Sequence, residues 1–491
     1  MRSSSLKQLG IILTSALAGA LFTFNIAAIA NRSTESLPVE ELRTFADVFN
    51  AIQQGYVEPV SDRTLIDHAI SGMLSGLDPH SAYLDKEAFK ELQEGTQGEF
   101  GGLGIEVGME DGFVKVVSPM ENTPAFRAGI KAGDLIVKLD DTPVKGMTQT
   151  EAVKRMRGKP GTKITLTIVR KGTDRPIVVT IVREIIKVQS VRSKLLEPGY
   201  GYIRIAQFQE NTGPDVVAAL NKLAEQGALK GLILDLRNDP GGLLNAAIGV
   251  SAAFLPKDTL VVSTKGRAPD AQRKYHARPA DYLRGTAADY LGKLPAYARQ
   301  VKMTVLVNAG SASASEIVAG ALQDHNRAQI VGTPTFGKGS VQTILSLSEN
   351  TAIKLTTSRY YTPKDRSIQA TGIEPDIVVE DSPDGSWSHI READLIGHLD
   401  NQQVQAQANA AAKTENSKTV SPPDKIIELG KLEDDYQLRQ ALRLMKGEKI
   451  EQQEQAAKKA PEGQNAAASD EDKDLIDAVS GRIRIERTPM Q

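Results

Sequence analysis

The chain has 491 residues, with Lys+Arg 59 against Asp+Glu 61 and a net charge of −2, a balance that argues against a dedicated nucleic-acid binder. Hydrophobic residues make up 40% and charged residues 24%, which suits a globular chain of several domains with room for real cores. There is no cysteine, so disulfide scaffolds, zinc ribbons and thiol nucleophiles are ruled out, and the six histidines never stand three or four residues apart, so a metal helix of the HExxH kind is absent.

The N-terminus reads as an export signal. Arg2 and Lys7 form a positive start, Leu9 to Ala30 is free of charge, and Ala28-Ile29-Ala30 has the small-x-small form of a cleavage site. The apolar stretch is about 20 residues, long enough to span a bilayer uncleaved. Residues 1–30 are therefore read as a signal peptide or membrane anchor, with the rest of the chain periplasmic or otherwise exported to the cell envelope and touching membrane only through this segment.

An N-terminal helical region is predicted over 38–95. Leu42, Phe45, Val48, Phe49 and Ile52 recur at helical spacing, as do Leu65, Ile66, Ala69, Ile70, Met73 and Leu74. Gly76-Leu-Asp-Pro-His80 breaks it with turn chemistry. Residues 97–184 form a β-rich module: a glycine-rich entry, β runs at Phe113–Val117, Leu135–Leu139, Ile164–Val169 and Ile177–Val182, and one helix at Thr150–Arg157. From 185 to 380 strands alternate with helices, which predicts a layered α/β core. Leu232–Leu236 is apolar without alternation until Asp235, as expected of a strand covered on both faces. A hairpin follows at Val341–Leu347 and Ala352–Tyr360. Residues 381–491 are a polar tail, partly disordered, with one helix expected through Tyr436, Leu438, Leu442 and Met445.

Four segments could carry chemistry. Asn308–Glu316 (NAGSASASE) follows a core strand and opens a helix, where orphan N–H groups can hold a developing oxyanion. Ser311, Ser313 and Ser315 compete as nucleophile, and Ser313-x-x-Glu316 also reads as a plain capping box. A serine needs a base. The histidines are weak candidates: His325 lies at the far end of the same helix and His80 and His276 in other loops. Lys338 sits between glycines in GTPTFGKGS (332–340) and serves as a base only if burial lowers its pKa from ~10.4. Gly332-x4-Gly-Lys338 partly matches a nucleotide-binding P-loop but lacks the Ser or Thr and runs into β-type residues. Asp235–Gly242 (DLRNDPGG) ends another core strand, and Gly241-Gly242 offers backbone N–H groups there, or an ordinary turn. In the β module, Gly101–Ile105 (GGLGI) can capture a peptide's terminal carboxylate, with Leu103 and Ile105 flanking a side-chain pocket.

Together with Gly76–Leu84 (GLDPHSAYL), Gly129–Ile136, Phe336–Gln342 (FGKGSVQ) and Gly372–Asp376 (GIEPD), these segments resemble, in order, the carboxyl-terminal processing peptidases, or tail-specific proteases, over roughly residues 40–380. The resemblance implies a multidomain α+β chain: a ClpP/crotonase-like α/β protease core with an inserted PDZ β-module, an N-terminal helical region and a partly disordered helical C-terminal tail. It implies Ser313 as nucleophile, Lys338 as general base, Gln342 orienting that lysine, and N–H groups of Ala314 and Gly242 as the oxyanion hole. It implies protein substrates held by their C-terminal tails, at Leu103, Gly104 and Ile105, and no metal, nucleotide or other cofactor. A homodimer through terminal segments and an adaptor protein are both compatible partners; nucleic acid is not. Arg157, after the module's helix, is a candidate for positioning the module, a surface arginine being the plainer reading. Two other functions stay open on the residues: a non-catalytic PDZ scaffold or chaperone, and an acyl hydrolase with a histidine base.

Overall fold

The computed structural model describes residues 38–401 apart from 174 and 388, together with 403, 419–420 and 429–451. The export segment and most of the low-complexity tail lie outside the described residues. Two compact units divide at Gly76. The first holds α1 (Val39–Gly55) and α2 (Asp62–Ser75), the second of which starts where the Ser61 side chain accepts from the Thr64 N–H. In α1 the apolar stripe of Leu42, Phe45, Val48 and Ile52 is exposed.

The second unit begins with β1 (Ala82–Leu84) and α3 (Lys86–Gln97), capped by Asp85 and ended by left-handed Gly98. Then come β2 (Glu99–Gly102), β3 (Ile105–Glu110), β4 (Phe113–Pro119), β5 (Leu135–Leu139), β6 (Thr142–Pro143), α4 (Gln149–Met156), β7 (Lys163–Val169), β8 (Ile177–Val182) and β9 (Glu184–Lys187). Strands β3-β4-β5-β7-β8 form one antiparallel sheet with β6 on β5. In β7, Ile164, Leu166 and Ile168 alternate into a core shared with Val114, Val116 and Ile136, as a strand's period of two requires. Pairing of β2 with β9 ties the two ends of this module together.

The remaining elements include β10 (Val191–Glu197), β11 (Tyr200–Ile205), α5 (Thr212–Glu225), β12 (Gly231–Asp235), α6 (Leu244–Phe254), β13 (Leu260–Gly266), β14 (Arg273–His276), β15 (Lys302–Val307), α7 (Ala314–Asp324), β16 (Gln329–Gly332), β17 (Ser340–Ser346), β18 (Ala352–Tyr361), β19 (Ile377–Val378) and α8 (Tyr436–Lys446). The main sheet runs β10-β11-β12-β15-β16-β19, parallel from β11 onward. Every residue of β12 is buried. Leu232 and Leu234 face the core built with α5, α6 and α7, and Ile233 faces the opposite layer, which is α8. That two-sided cover is why β12 is apolar without alternation.

Three features go beyond the sequence-based picture. The 340–361 hairpin stays off the main sheet and joins β13, β14 and β1 in a second one. The strands β13 and β14 and the helix α6 had no signal of their own in the sequence reading. Finally, the helix expected in the polar tail is a core element: Leu438 and Ala441 are 0% exposed against Tyr202, Ile233 and Leu306. Asp435 caps it and reaches Arg237 Nη2 at 2.6 Å. Replacing Leu438 with Ala should therefore lower unfolding stability by about 2–5 kcal/mol, read from urea denaturation. A variant as stable as the parent would mean that α8 is not part of the folded core.

Candidate functional site

Strand β15 ends at Val307, and the chain turns through Asn308–Ala312 into α7. The three serines of this turn have different fates. Ser311 Oγ donates to Leu236 O at 2.8 Å and accepts from the Asn308 N–H at 3.0 Å. Ser315 Oγ donates to Asp239 O at 3.0 Å. Both are buried anchors that bind this turn to the loop after β12. Ser313 is left: its hydroxyl makes no side-chain cap hydrogen bond, and its backbone has φ 54° and ψ −108°. A serine held at positive φ where a strand turns into a helix is the strained arrangement of a nucleophile elbow, here without the GxSxG sequence. Of the three competing serines, Ser311 and Ser315 are thus engaged as anchors, and Ser313 alone makes no such side-chain bond.

The loop after β12 runs against this turn. A Cβ built on Gly241 would lie 2.9 Å from both Ala314 N and Ser313 Cβ, and one on Gly242 only 2.1 Å from Phe208 O. Gly242 also has φ 143°, which non-glycine residues rarely adopt. The glycine pair is required here by close approach. The N–H groups of Gly242 and Ala314 donate to no acceptor among the described residues, whereas the Gly241 N–H is taken by Asp239 Oδ1 at 2.8 Å. Two unused N–H groups beside a free serine hydroxyl suit an oxyanion. Behind the loop, Arg237 is fully buried between Asp235 (Nη2 to Oδ2, 2.7 Å) and Asp435.

Lys338 lies in the segment joining β16 to β17, so the P-loop alternative fails on context: a strand follows, not a helix. This segment is fastened to the serine turn by Phe336 N–H donating to Ser311 O at 3.0 Å. It is fastened again by Glu316, 0% exposed, whose Oε1 accepts from Thr335 Oγ1 (2.6 Å) and Gly337 N–H (2.7 Å). Glu316 Oε2 accepts from the N–H groups of both Ser313 (2.8 Å) and Lys338 (2.9 Å), so these two amide nitrogens lie no farther apart than the sum of the two distances, 5.7 Å. Burial lowers the Lys338 pKa, and nearby Lys354 lowers it further, against the pull of Glu392, Glu316 and Asp78. The amine makes no hydrogen bond with Ser313 or Gln342 in this structure. The Gln342 amide donates instead to Ser340 Oγ (2.9 Å) and Thr356 Oγ1 (3.2 Å).

Two of the candidate histidines are engaged elsewhere, while His276 has its Nδ1 buried with no hydrogen-bond partner among the described residues. His325 Nε2 bonds Leu260 O at 2.7 Å. His80 Nε2 bonds Glu392 Oε2 at 2.8 Å, and Glu392 Oε1 accepts from Gln369 Nε2, whose side-chain Oε1 accepts from the Gly339 N–H. Burial pushes the Glu392 carboxyl up, but these partners outweigh it and hold it below the usual range. His80 is thus not a stray loop histidine; it braces the Lys338 segment from the GLDPHSAYL motif. Sequence reasoning missed Glu392, Gln369 and Asp435 altogether and saw Glu316 only as a cap.

In the β module, Gly104 has φ 75°, and a Cβ there would strike the Thr123 side chain at 2.3 Å. The N–H groups of Leu103 and Gly104 donate to no described acceptor. They stand beside a cavity of about 90 Å³ lined by Leu103, Ile105, Val107, Val153 and Met156, with Arg157 at its edge. Arg157 lies 4.5 Å over the Phe100 ring and 3.6 Å from Glu94. Replacing Gly242 with Ala forces a clash with Phe208 and should abolish peptide cleavage while a C-terminal tail peptide still binds the module, measured by fluorescence anisotropy. Retained cleavage would remove Gly242 from the site.

Comparison with known proteins agrees with this anatomy. The family model described as Peptidase family S41 matches residues 199–379, that of the PDZ domain 101–181, and that of the activating protease CtpB N-terminal domain 22–88. A carboxy-terminal-processing protease of Bartonella bacilliformis is 44% identical over 88% of this chain and 95% of its own length. The carboxy-terminal processing protease CtpA of Bacillus subtilis is 34% identical over 75% of this chain and 76% of its own. Among solved structures, a photosystem II D1 C-terminal processing protease is 30% identical, covering 68% of this chain and 92% of that one, with a TM-score of 0.39. A layered α/β core and a separate β module are thus parts of one enzyme type, and the chain belongs to the carboxy-terminal processing proteases, serine peptidases of family S41 that carry a PDZ domain.

Proposed function

We propose that the protein is a serine endopeptidase that takes exported proteins by their C-terminal tails and cleaves them with a Ser313–Lys338 dyad. The observation that carries this reading is the shared tether: a serine at a strained turn, its hydroxyl making no side-chain cap hydrogen bond, and a half-buried lysine have their backbone amides on one carboxylate oxygen. The Leu103 and Gly104 N–H groups receive the terminal carboxylate of the tail, and the small apolar cavity beside them takes its last side chain. The tail then extends to Ser313. Neutral Lys338 takes the hydroxyl proton, and Ser313 Oγ attacks the peptide carbonyl. The N–H groups of Ala314 and Gly242 hold the oxyanion. The ammonium of Lys338 returns its proton to the leaving amine, and water releases the acyl group. Docking of substrate closes the remaining gap between the two side chains, as hydrogen bonds at such sites tighten in the complex. Gln342 orients the lysine in that closed state.

The N-terminal export pattern supports a periplasmic or cell-envelope location, either released or anchored by residues 1–30. The exposed apolar stripe of α1 supports a further contact, with a second copy or with an adaptor. The PDZ-scaffold alternative has less support, since a passive scaffold has no need of a strained serine beside two idle N–H groups.

Ser313→Ala and Lys338→Ala should each reduce turnover of a peptide with an apolar C-terminus by about 10³-fold or more, without loss of folding or tail binding. Lys338→Arg should fail equally, because a guanidinium stays protonated. Near-normal turnover by Lys338→Ala ends the dyad proposal, and loss of turnover on replacing a histidine alone would favour the acyl-hydrolase reading. The active form carries free-base lysine, so kcat rises with pH through a pKa below the ordinary 10.5. Lys354→Met removes the like charge that helps to lower that pKa, so the acid limb of the kcat profile should move to higher pH. A limb that stays put or moves down would mean that Lys338 is not the titrating base.

A further inference from the structure

The sequence pattern Ser313-x-x-Glu316 is that of an ordinary capping box, and the molecule offers an ordinary one for comparison. At the start of α4, Glu151 is exposed and takes its hydrogen bonds from Thr148 alone, through N–H (2.8 Å) and Oγ1 (3.0 Å). Glu316 has the same position in its helix and a different set of partners. It is removed from water, and one of its four donors is the N-cap residue. The other three, Thr335 Oγ1, Gly337 N–H and Lys338 N–H, come from the segment that carries the lysine.

We propose that Glu316 is the positioning residue of the catalytic pair, a clamp that fixes the separation of the Ser313 and Lys338 backbones and holds Ser313 in its strained conformation. The inference rests on the dyad reading above and adds to it a residue that touches neither substrate nor the reacting atoms. Three features carry it. One oxygen, Oε2, receives both amides, so moving either residue breaks a bond to the same atom. Ser313 sits at φ 54°, a region a non-glycine residue keeps only when its surroundings over-determine it, and the Glu316 bond is made to its own N–H. The carboxylate's lone pairs face four donors, so no shorter or half-donor side chain replaces it: Asp lacks one methylene of reach, and the Gln amide would present N–H groups to N–H groups.

The test uses the full-length protein with Glu316→Gln, and with Ser313→Ala and Lys338→Ala in parallel, each assayed for kcat, KM and tail-peptide affinity, with the folded fraction from circular dichroism. For Glu316→Gln the expected result is a kcat per folded molecule lower by about 10²-fold, with KM and tail affinity within about 2-fold, because a misplaced pair loses the reaction and not the binding. A role confined to helix capping predicts less folded protein with an unchanged kcat per folded molecule, and that outcome overturns the proposal. If Glu316→Gln does not fold, Thr335→Val and Thr335→Ser decide. A fall of kcat at constant KM in the first, restored in the second, supports the clamp; equal and normal kcat in both overturns it. If Ser313→Ala or Lys338→Ala keeps turnover, the dyad reading fails; if both lose it while Glu316→Gln does not, only the clamp fails.

Discussion

A carboxylate without water holds the candidate site together. Removing such a group from solvent has an effective penalty of several kcal/mol, whereas an N-terminal cap returns about 1 kcal/mol. Helix capping alone is thus too small to keep Glu316 where it is. Four hydrogen bonds to a charged acceptor, each about 1.5–3 kcal/mol, offset much of that penalty, though burial still outweighs them in the carboxyl's pKa. Three of them belong to the segment 335–338, so what stabilises the buried charge is the junction of two loops. The helix start and the lysine segment are each other's condition.

The same enclosure acts on both ionisable groups in opposite senses. It pushes the Glu316 pKa up to about 7 and that of Lys338 down. Among its negative neighbours Glu392, Glu316 and Asp78, the two glutamates would by themselves favour the charged lysine. They are used otherwise. Glu316 bonds four donors that belong to the backbone and to Thr335, and Glu392 bonds His80 and Gln369. Neither forms an ion pair with Lys338 Nζ. A direct pair would have stabilised the ammonium; carboxylates saturated by other donors brace the loop and leave burial as the dominant influence on the amine.

How far sequence reached follows from the range of each interaction. The period-2 runs of the β module and the all-apolar β12 were legible because burial imposes a local pattern. The competition among Ser311, Ser313 and Ser315 was not, because each serine's fate depends on partners roughly 75 positions away, Leu236 for one and Asp239 for another. Glu316 looked like a cap because capping is the local half of what it does. The tail looked polar because α8 buries Gln437 and Gln440 along with Tyr436, Leu438, Ala441, Leu442 and Met445, and intersperses Arg439, Arg443 and Lys446; the surface it meets, Tyr202, Ile233 and Leu306, is made by strands far upstream. The resemblance located Ser313 and Lys338 without saying what holds them.

Each loop of the site is in turn fastened by a segment remote in the chain. Arg237, in the glycine loop, is held by Asp435 from 198 residues away, and the Lys338 segment is braced through Gln369 and Glu392 to His80, a contact across 312 residues. The loops themselves leave from adjacent strands of one parallel sheet, β12, β15 and β16, which form around contacts of shorter range. Contacts of high sequence separation close late when loop entropy governs folding order. The sheet and its serine turn can therefore be in place before the Gly241-Gly242 loop and the lysine are held, and the complete arrangement needs both the GLDPHSAYL segment and α8. This is a physical reason for the candidate site to depend on segments beyond the α/β unit that carries Ser313 and Lys338.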